Sequence, residues 1–157
     1  MKRRALVFDD QPAIRHLLCA FLEGRGYEVL AYEDPSDCPL NGIVSCPCPG
    51  GVLCADVIVT DVQMLRVNGM DFINRLILQK NCKLTRIAVL SGSWTEQDLK
   101  RAEQMGCKVF EKPFGLVELV EWLREVERDI LPDRCLLDLV ALPVSEQVEL
   151  PLKSPGR

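Results

Sequence analysis

The sequence predicts an α/β domain in which a five-stranded parallel sheet is joined by crossover helices, one of them disrupted. Two observations predict it. Short, wholly apolar runs alternate with stretches of helical periodicity, the pattern produced by a parallel sheet covered on both faces. Most of those runs also end on a side chain suited to chemistry: Asp9 and Asp10, Asp61, Ser91 and, just past the last run, Lys112.

The elements follow in order. Leu6-Val7-Phe8 is a short strand ending at the two aspartates. Pro12 suits the first turn of a helix, where its missing N–H costs nothing. Ile14, Leu17, Leu18, Phe21 and Leu22 continue at helical spacing until Gly24 and Gly26 stop the helix. Tyr27 to Tyr32 reads as the second strand. The β-branched run Val57-Ile58-Val59-Thr60 is the third and leads straight into Asp61. Phe72, Ile73, Leu76 and Ile77 mark a helix, and Ile87-Ala88-Val89-Leu90 is the fourth strand. Ser93 with Glu96, or Thr95 with Asp98, offers a capping box for a helix through Leu99, Ala102 and Met105, stopped by Gly106. Cys107 to Phe110 is the fifth strand. Leu116, Leu119, Val120, Leu123 and Val126 form the last amphipathic helix.

The second crossover breaks this pattern. Residues 34–55 hold Pro35, Pro39, Pro47 and Pro49 with Gly42, Gly50 and Gly51, which oppose a continuous helix. An irregular or partly helical insertion is expected there. The domain is therefore read as 1–130, with a C-terminal tail at 131–157 too short for a DNA-binding output domain.

Composition narrows the function classes. A hydrophobic fraction of 48%, a charged fraction of 27% and a net charge of −4 fit a globular domain without the basic face of a nucleic-acid binder. No apolar run approaches the length of a membrane span, and the basic start is followed by too few apolar residues for a signal-peptide core. A cytoplasmic protein is the expectation. His16, the single histidine, lies off the apolar stripe of its helix and reads as a surface residue. One histidine also argues against a zinc hydrolase or a histidine-based triad. An aspartate phosphatase is disfavoured because Asp-x-Asp spacing is missing at both Asp9 and Asp61.

In an open parallel sheet, ligands bind outside the carboxyl ends of the strands. Three carboxylates gathered there repel one another unless a cation lies among them, and oxygen-only ligands favour a hard ion such as magnesium. A nearby lysine and hydroxyl can then hold a phosphoryl group. The set supplies a carboxylate nucleophile, charge neutralisation and donors for developing negative charge.

The motifs Phe8-Asp9-Asp10, Thr60-Asp61-Val62-Gln63-Met64 with Gly69 eight residues after Asp61, Leu90-Ser91-Gly92, and Glu111-Lys112-Pro113-Phe114 resemble the signature of response-regulator receiver domains. The resemblance spans roughly residues 3–129 and includes order and spacing everywhere except the Cys-rich segment. It implies a flavodoxin-like fold with strand order 2-1-3-4-5. It also implies that Asp61 is the phosphoacceptor, that Asp10, Asp61 and the Gln63 backbone carbonyl ligate Mg2+, and that Asp9 assists through water. Ser91 and Lys112 would bind the phosphoryl group, with the Lys112–Pro113 bond cis. The implied partners are a sensor histidine kinase or phosphotransfer protein and a downstream protein of unknown identity, with homodimer formation open and no DNA or membrane contact expected. The protein would be a stand-alone phosphorelay switch and not an enzyme.

The sequence departs from the family at three places. Leu65 stands where a proline is usual, and Ser91 where threonine is commoner. Val109 occupies the usual place of a switch aromatic, which leaves Phe110, one residue on, as the candidate. Trp94 either anchors a partner or packs over the next helix.

The eight cysteines leave a rival reading. Cys38, Cys46, Cys48 and Cys54 could hold a metal or sense redox state on a receiver scaffold, although their spacing lacks paired Cys-x-x-Cys knuckles. Free packed thiols are the simpler reading, as for Cys19, Cys82, Cys107 and Cys135. A second rival is a degenerate receiver that binds a partner without phosphorylation.

Overall fold

The computed structural model describes residues 1–38, 52–64, 66–78 and 85–136. Five strands form one parallel sheet: β1 (Arg3–Phe8), β2 (Tyr27–Tyr32), β4 (Val57–Asp61), β5 (Arg86–Ser91) and β6 (Lys108–Glu111), in the order β2-β1-β4-β5-β6. Counted along the chain, these strands have the predicted order 2-1-3-4-5. Four α-helices accompany them among the described residues: α1 (Pro12–Gly24), α2 (Gly69–Leu78), α3 (Glu96–Gln104) and α4 (Leu116–Asp129).

The strands are apolar on both sides because both faces are covered. Leu6, Phe8, Ile58, Ile87 and Val89 enter one core with Met70, Phe72, Ile73 and Leu76 of α2 and Ala102 of α3. The alternate residues Ala5, Val7, Val57, Val59, Ala88 and Leu90 enter a second core with Leu18 and Leu22 of α1 and Leu119, Trp122, Leu123 and Val126 of α4. A one-residue slip of any central strand would exchange the two sets, so the register is strongly specified.

Helix signals fall where local chemistry places them. Pro12 opens α1. Of the two capping boxes considered, the structure uses Thr95, whose side chain accepts from the Asp98 amide at 3.1 Å. Gly106 follows α3 with φ of +73°, a conformation that suits glycine. Two helix assignments shift in detail. Leu17 and Leu116 are 47% and 40% exposed, while Trp122, absent from the predicted stripe, is buried in the second core. His16 is exposed, as expected.

The disrupted crossover begins with one 3-10 turn, Pro35–Asp37, capped by Asp34. Residues 39–51 lie outside the described residues. The chain re-enters as β3 (Val52–Leu53), which pairs in parallel with β7 (Cys135–Leu136) in a separate two-stranded sheet. The first residues after α4 therefore fold back on the domain. Arg134 carries this return: its guanidinium forms an ion pair with Asp56 and donates to the Lys2 carbonyl. Both side chains are nearly inaccessible, at 6% and 1% exposure. Asp56 also accepts from the Arg4 amide at 2.9 Å.

This buried pair and the Arg86–Asp129 pair, about half exposed, invite a direct comparison. Removing one partner of a buried pair strands the other charge, whereas an exposed pair contributes little. Arg134→Ala is expected to lower the unfolding free energy by about 2–4 kcal/mol in chemical denaturation. Arg86→Ala should lower it by less than about 1 kcal/mol.

Candidate functional site

The site lies at the carboxyl edge of the sheet, and the strand ladder itself builds it. The Asp9 amide donates to the Tyr32 carbonyl, Val62 to Leu90 and Lys112 to Ser91, at 3.2, 3.0 and 2.9 Å. These bonds continue the sheet pairing one residue beyond β1, β4 and β6, so the side chains just past the strand ends inherit the rigidity of the sheet. Asp9, Asp61 and Ser91 are buried, and Asp10 is half-buried.

One carboxylate oxygen from each of Asp9, Asp10 and Asp61 can be chosen so that all three lie within 4.8 Å of one another. Lys112 reaches into this group from the far strand, its Nζ 3.1 Å from Asp9 Oδ2 and 3.2 Å from Asp61 Oδ2. Its single positive charge leaves an excess of negative charge among three carboxylates. That donor set, all oxygen and net anionic, fits a hard divalent cation such as Mg2+. The Lys112–Pro113 peptide bond is cis.

Local bonds orient each group. Asp9 Oδ1 accepts from the Gln11 amide at 2.9 Å, and the Asp9 carbonyl accepts from Arg15 Nη1 at 2.8 Å. Asp61 Oδ1 accepts from the Gln63 amide at 3.3 Å. Ser91 Oγ accepts from the Ser93 amide at 3.1 Å. Burial raises the Asp61 carboxyl above the usual range; Lys112 opposes this rise and the neighbouring Asp9 adds to it. Gly69 closes the loop after Asp61. Its amide donates to the Val62 carbonyl at 2.8 Å, and a Cβ there would stand 2.0 Å from the Asp61 carbonyl oxygen. No side chain fits at that approach.

The sequence matches the response regulator receiver domain family over residues 5–124. The chain belongs to this family. Among curated relatives, the phosphate regulon transcriptional regulatory protein PhoB of Escherichia coli is 30% identical over 133 residues, covering 84% of this chain and 55% of PhoB. A probable transcriptional regulatory protein of Picosynechococcus is 32% identical over 128 residues, covering 81% of this chain and 50% of that protein. The chain thus spans about half the length of these relatives. Among solved structures, Vibrio cholerae chemotaxis protein CheY4 superposes with a TM-score of 0.65 at 24% identity, over 80% of this chain and 99% of CheY4. A receiver domain from Colwellia psychrerythraea superposes with a TM-score of 0.67 at 17% identity, over 81% of this chain and 99% of its own. At these identities the two structures speak for the fold.

The receiver brings Asp9, Asp10, Asp61 and Lys112 together, and Gln63 and Ser91 flank them. Phe110 is placed elsewhere. It is buried in the second core against Trp122 and Phe114, because alternation sends its side chain to the sheet face opposite Val89 and Ser91. In this structure it does not lie beside Ser91. The aromatic near Ser91 is Trp94, partly buried over the first core, whose Nε1 donates to the Phe110 carbonyl at 3.0 Å. Cys38 and Cys54 are buried in the first core. Cys46, Cys48 and Cys82, and also Leu65, lie outside the described residues.

Sequence reasoning missed Asp34. This buried carboxylate caps the 3-10 turn and also reaches the loop after Asp61. The signal was present in Asp34-Pro35-Ser36, an acidic cap before a proline at the first helical position.

The raised Asp61 carboxyl has a consequence for stability. A group whose folded pKa exceeds its unfolded value contributes stability fully present below the unfolded pKa, and loses it as pH rises through the folded one. At neutral pH Asp61 therefore contributes less to stability than it does in acid. Asp61→Asn is expected to melt higher than wild type at pH 7, where about 1 kcal/mol corresponds to a shift of about 4 °C. That advantage should vanish in melts run below the ordinary carboxylate range.

Proposed function

We propose that this receiver accepts a phosphoryl group on Asp61 from a phosphohistidine of a sensor kinase or phosphotransfer protein, and signals through protein–protein contacts. The observation that carries the reading is the convergence of Asp9, Asp10 and Asp61 with Lys112 bridging two of them. A carboxylate oxygen of Asp61 attacks phosphorus as the P–N bond breaks. An acyl phosphate forms, and the imidazole departs with the bonding electron pair and takes up a proton. Lys112 is placed to pair with the phosphoryl oxygens, and the Ser91 hydroxyl to hydrogen-bond them.

Mg2+, held by Asp10, Asp61 and the Gln63 carbonyl with Asp9 acting through water, would supply the remaining charge neutralisation. The acceptor site lies on rigid strand ends, whereas Ser91 begins the loop that carries Trp94. A phosphoryl group that engages Ser91 therefore acts on a segment able to relay its presence. Transfer and later hydrolysis of the acyl phosphate are a switching cycle, so the protein is read as a signalling component and not as an enzyme acting on a separate substrate. A cytoplasmic location suits such a partner. Among the described residues no helix is long and apolar enough to cross a membrane.

Beryllofluoride, a phosphoryl mimic, tests this reading. With Mg2+ it is expected to produce a saturable change in tryptophan fluorescence in wild type, with heat of binding in calorimetry, and neither in Asp61→Ala. Wild type that shows no binding by either method would overturn the phosphoacceptor assignment.

A further inference from the structure

Asp34 connects two segments that no strand pairing joins. It is 2% exposed, yet its carboxylate has donors on both oxygens. Oδ1 accepts from the Ser36 amide and hydroxyl at 2.9 and 2.7 Å, which fixes the turn after β2. Oδ2 accepts from the Arg66 and Val67 amides at 3.1 and 3.3 Å, and those residues belong to the loop between Asp61 and α2. The Arg66 side chain reinforces the link by pairing with Asp37 at 3.2 Å.

The loop is pinned elsewhere from its ends. The Val62 and Gly69 bonds close its base, and Asn68 Oδ1 caps α2 through the Met70 amide at 2.8 Å. Gln63, whose carbonyl would face the cation, stands between the base and the Asp34 attachment. Asp10, Glu33, Asp34 and Arg66 line one cleft of about 230 Å³, so the attachment is beside the carboxylate cluster. Burial opposes the charge on Asp34, but the Ser36, Arg66 and Val67 donors outweigh it and hold the carboxyl below its usual range. The anion is thus kept for the bonds it accepts.

We propose that Asp34 is a positioning residue for the cation site: by holding the Arg66 and Val67 amides it fixes the backbone that presents the Gln63 carbonyl. The inference rests on the phosphoacceptor reading above. Outer partners of this kind typically change metal affinity by about 10–100-fold when removed.

The test compares wild type, Asp34→Ala, Asp34→Asn and Ser36→Ala in the full chain. Mg2+ affinity is read by calorimetry, and amide hydrogen exchange is followed without metal. Asp34→Ala is expected to weaken Mg2+ binding about tenfold and to speed exchange at the Arg66 and Val67 amides. At saturating Mg2+ its rate of phosphorylation by a small acyl-phosphate donor should return close to wild type, because Asp61 and Lys112 are untouched. A general loss of folded protein would instead lower rate and binding capacity together. Asp34→Asn, which keeps the volume and one acceptor oxygen, should weaken binding in the same direction and replaces the alanine variant if that one fails to fold. Ser36→Ala leaves the loop bonds in place and should bind Mg2+ as wild type does.

Unchanged affinity in both Asp34 variants would overturn the inference alone. So would a loss in Ser36→Ala equal to that in Asp34→Ala, since the effect would then arise from the turn. Wild type that binds no Mg2+ would overturn the phosphoacceptor reading and this inference with it.

Discussion

Three carboxylates at one edge of a parallel sheet repel one another, and the rest of this receiver is arranged around holding them there. Asp9 and Asp61 are both buried, and both point at Lys112. Transfer of such charges out of water is costly unless they are paired. Lys112 offsets part of that cost from a strand two places away from β4, so the ion pairs also clamp β1, β4 and the end of β6 into one unit. What remains is uncompensated negative charge facing solvent through Asp10. A fold that carries this excess is stabilised by a cation placed among the carboxylates.

The two cores explain why the sheet can bear this load. Each central strand contributes to both, and the extension of the ladder past the strand ends fixes the backbone of Asp9, Val62 and Lys112. The opposite edge of the sheet is closed differently. There Arg134 returns after α4 to cover Asp56 and the Lys2 carbonyl, and β3 pairs with β7. Charge at that edge is neutralised within the chain, whereas charge at the carboxyl edge is left in excess. That asymmetry separates the neutralised edge from the acidic one.

Much of this was legible in the sequence because its causes are local. Apolar runs bounded by turn residues mark strands buried on two faces, and Asp9, Asp10, Asp61, Ser91 and Lys112 follow their strands directly. What was not legible depends on partners distant along the chain. Arg134 meets Asp56 across 78 residues, and Asp34 meets Arg66 across 32. No periodicity records such pairs. Helix faces differ in detail where a rim residue is apolar: Leu17 and Leu116 extend the stripe on paper but lie at the solvent edge, whereas Trp122 is buried. Phe110 lies away from Ser91 for a simpler reason. Proximity in sequence to Val109 places it on the other side of the sheet, as strand alternation requires.

The loop after Asp61 shows how a receiver can compensate for a departure from its family. Leu65 stands where a proline would restrict the backbone of the free chain. Here the restriction comes from outside the loop, through the Asp34 carboxylate on the Arg66 and Val67 amides and the Asp37 pair with Arg66. A proline acts on the chain at all times, whereas a carboxylate acts only once the turn after β2 is folded against the site. The placement of the loop after Asp61 thereby depends on the turn after β2. The buried Asp34 side chain thus ties the turn that opens the divergent crossover to the loop after Asp61, the most recognisable part of the sequence.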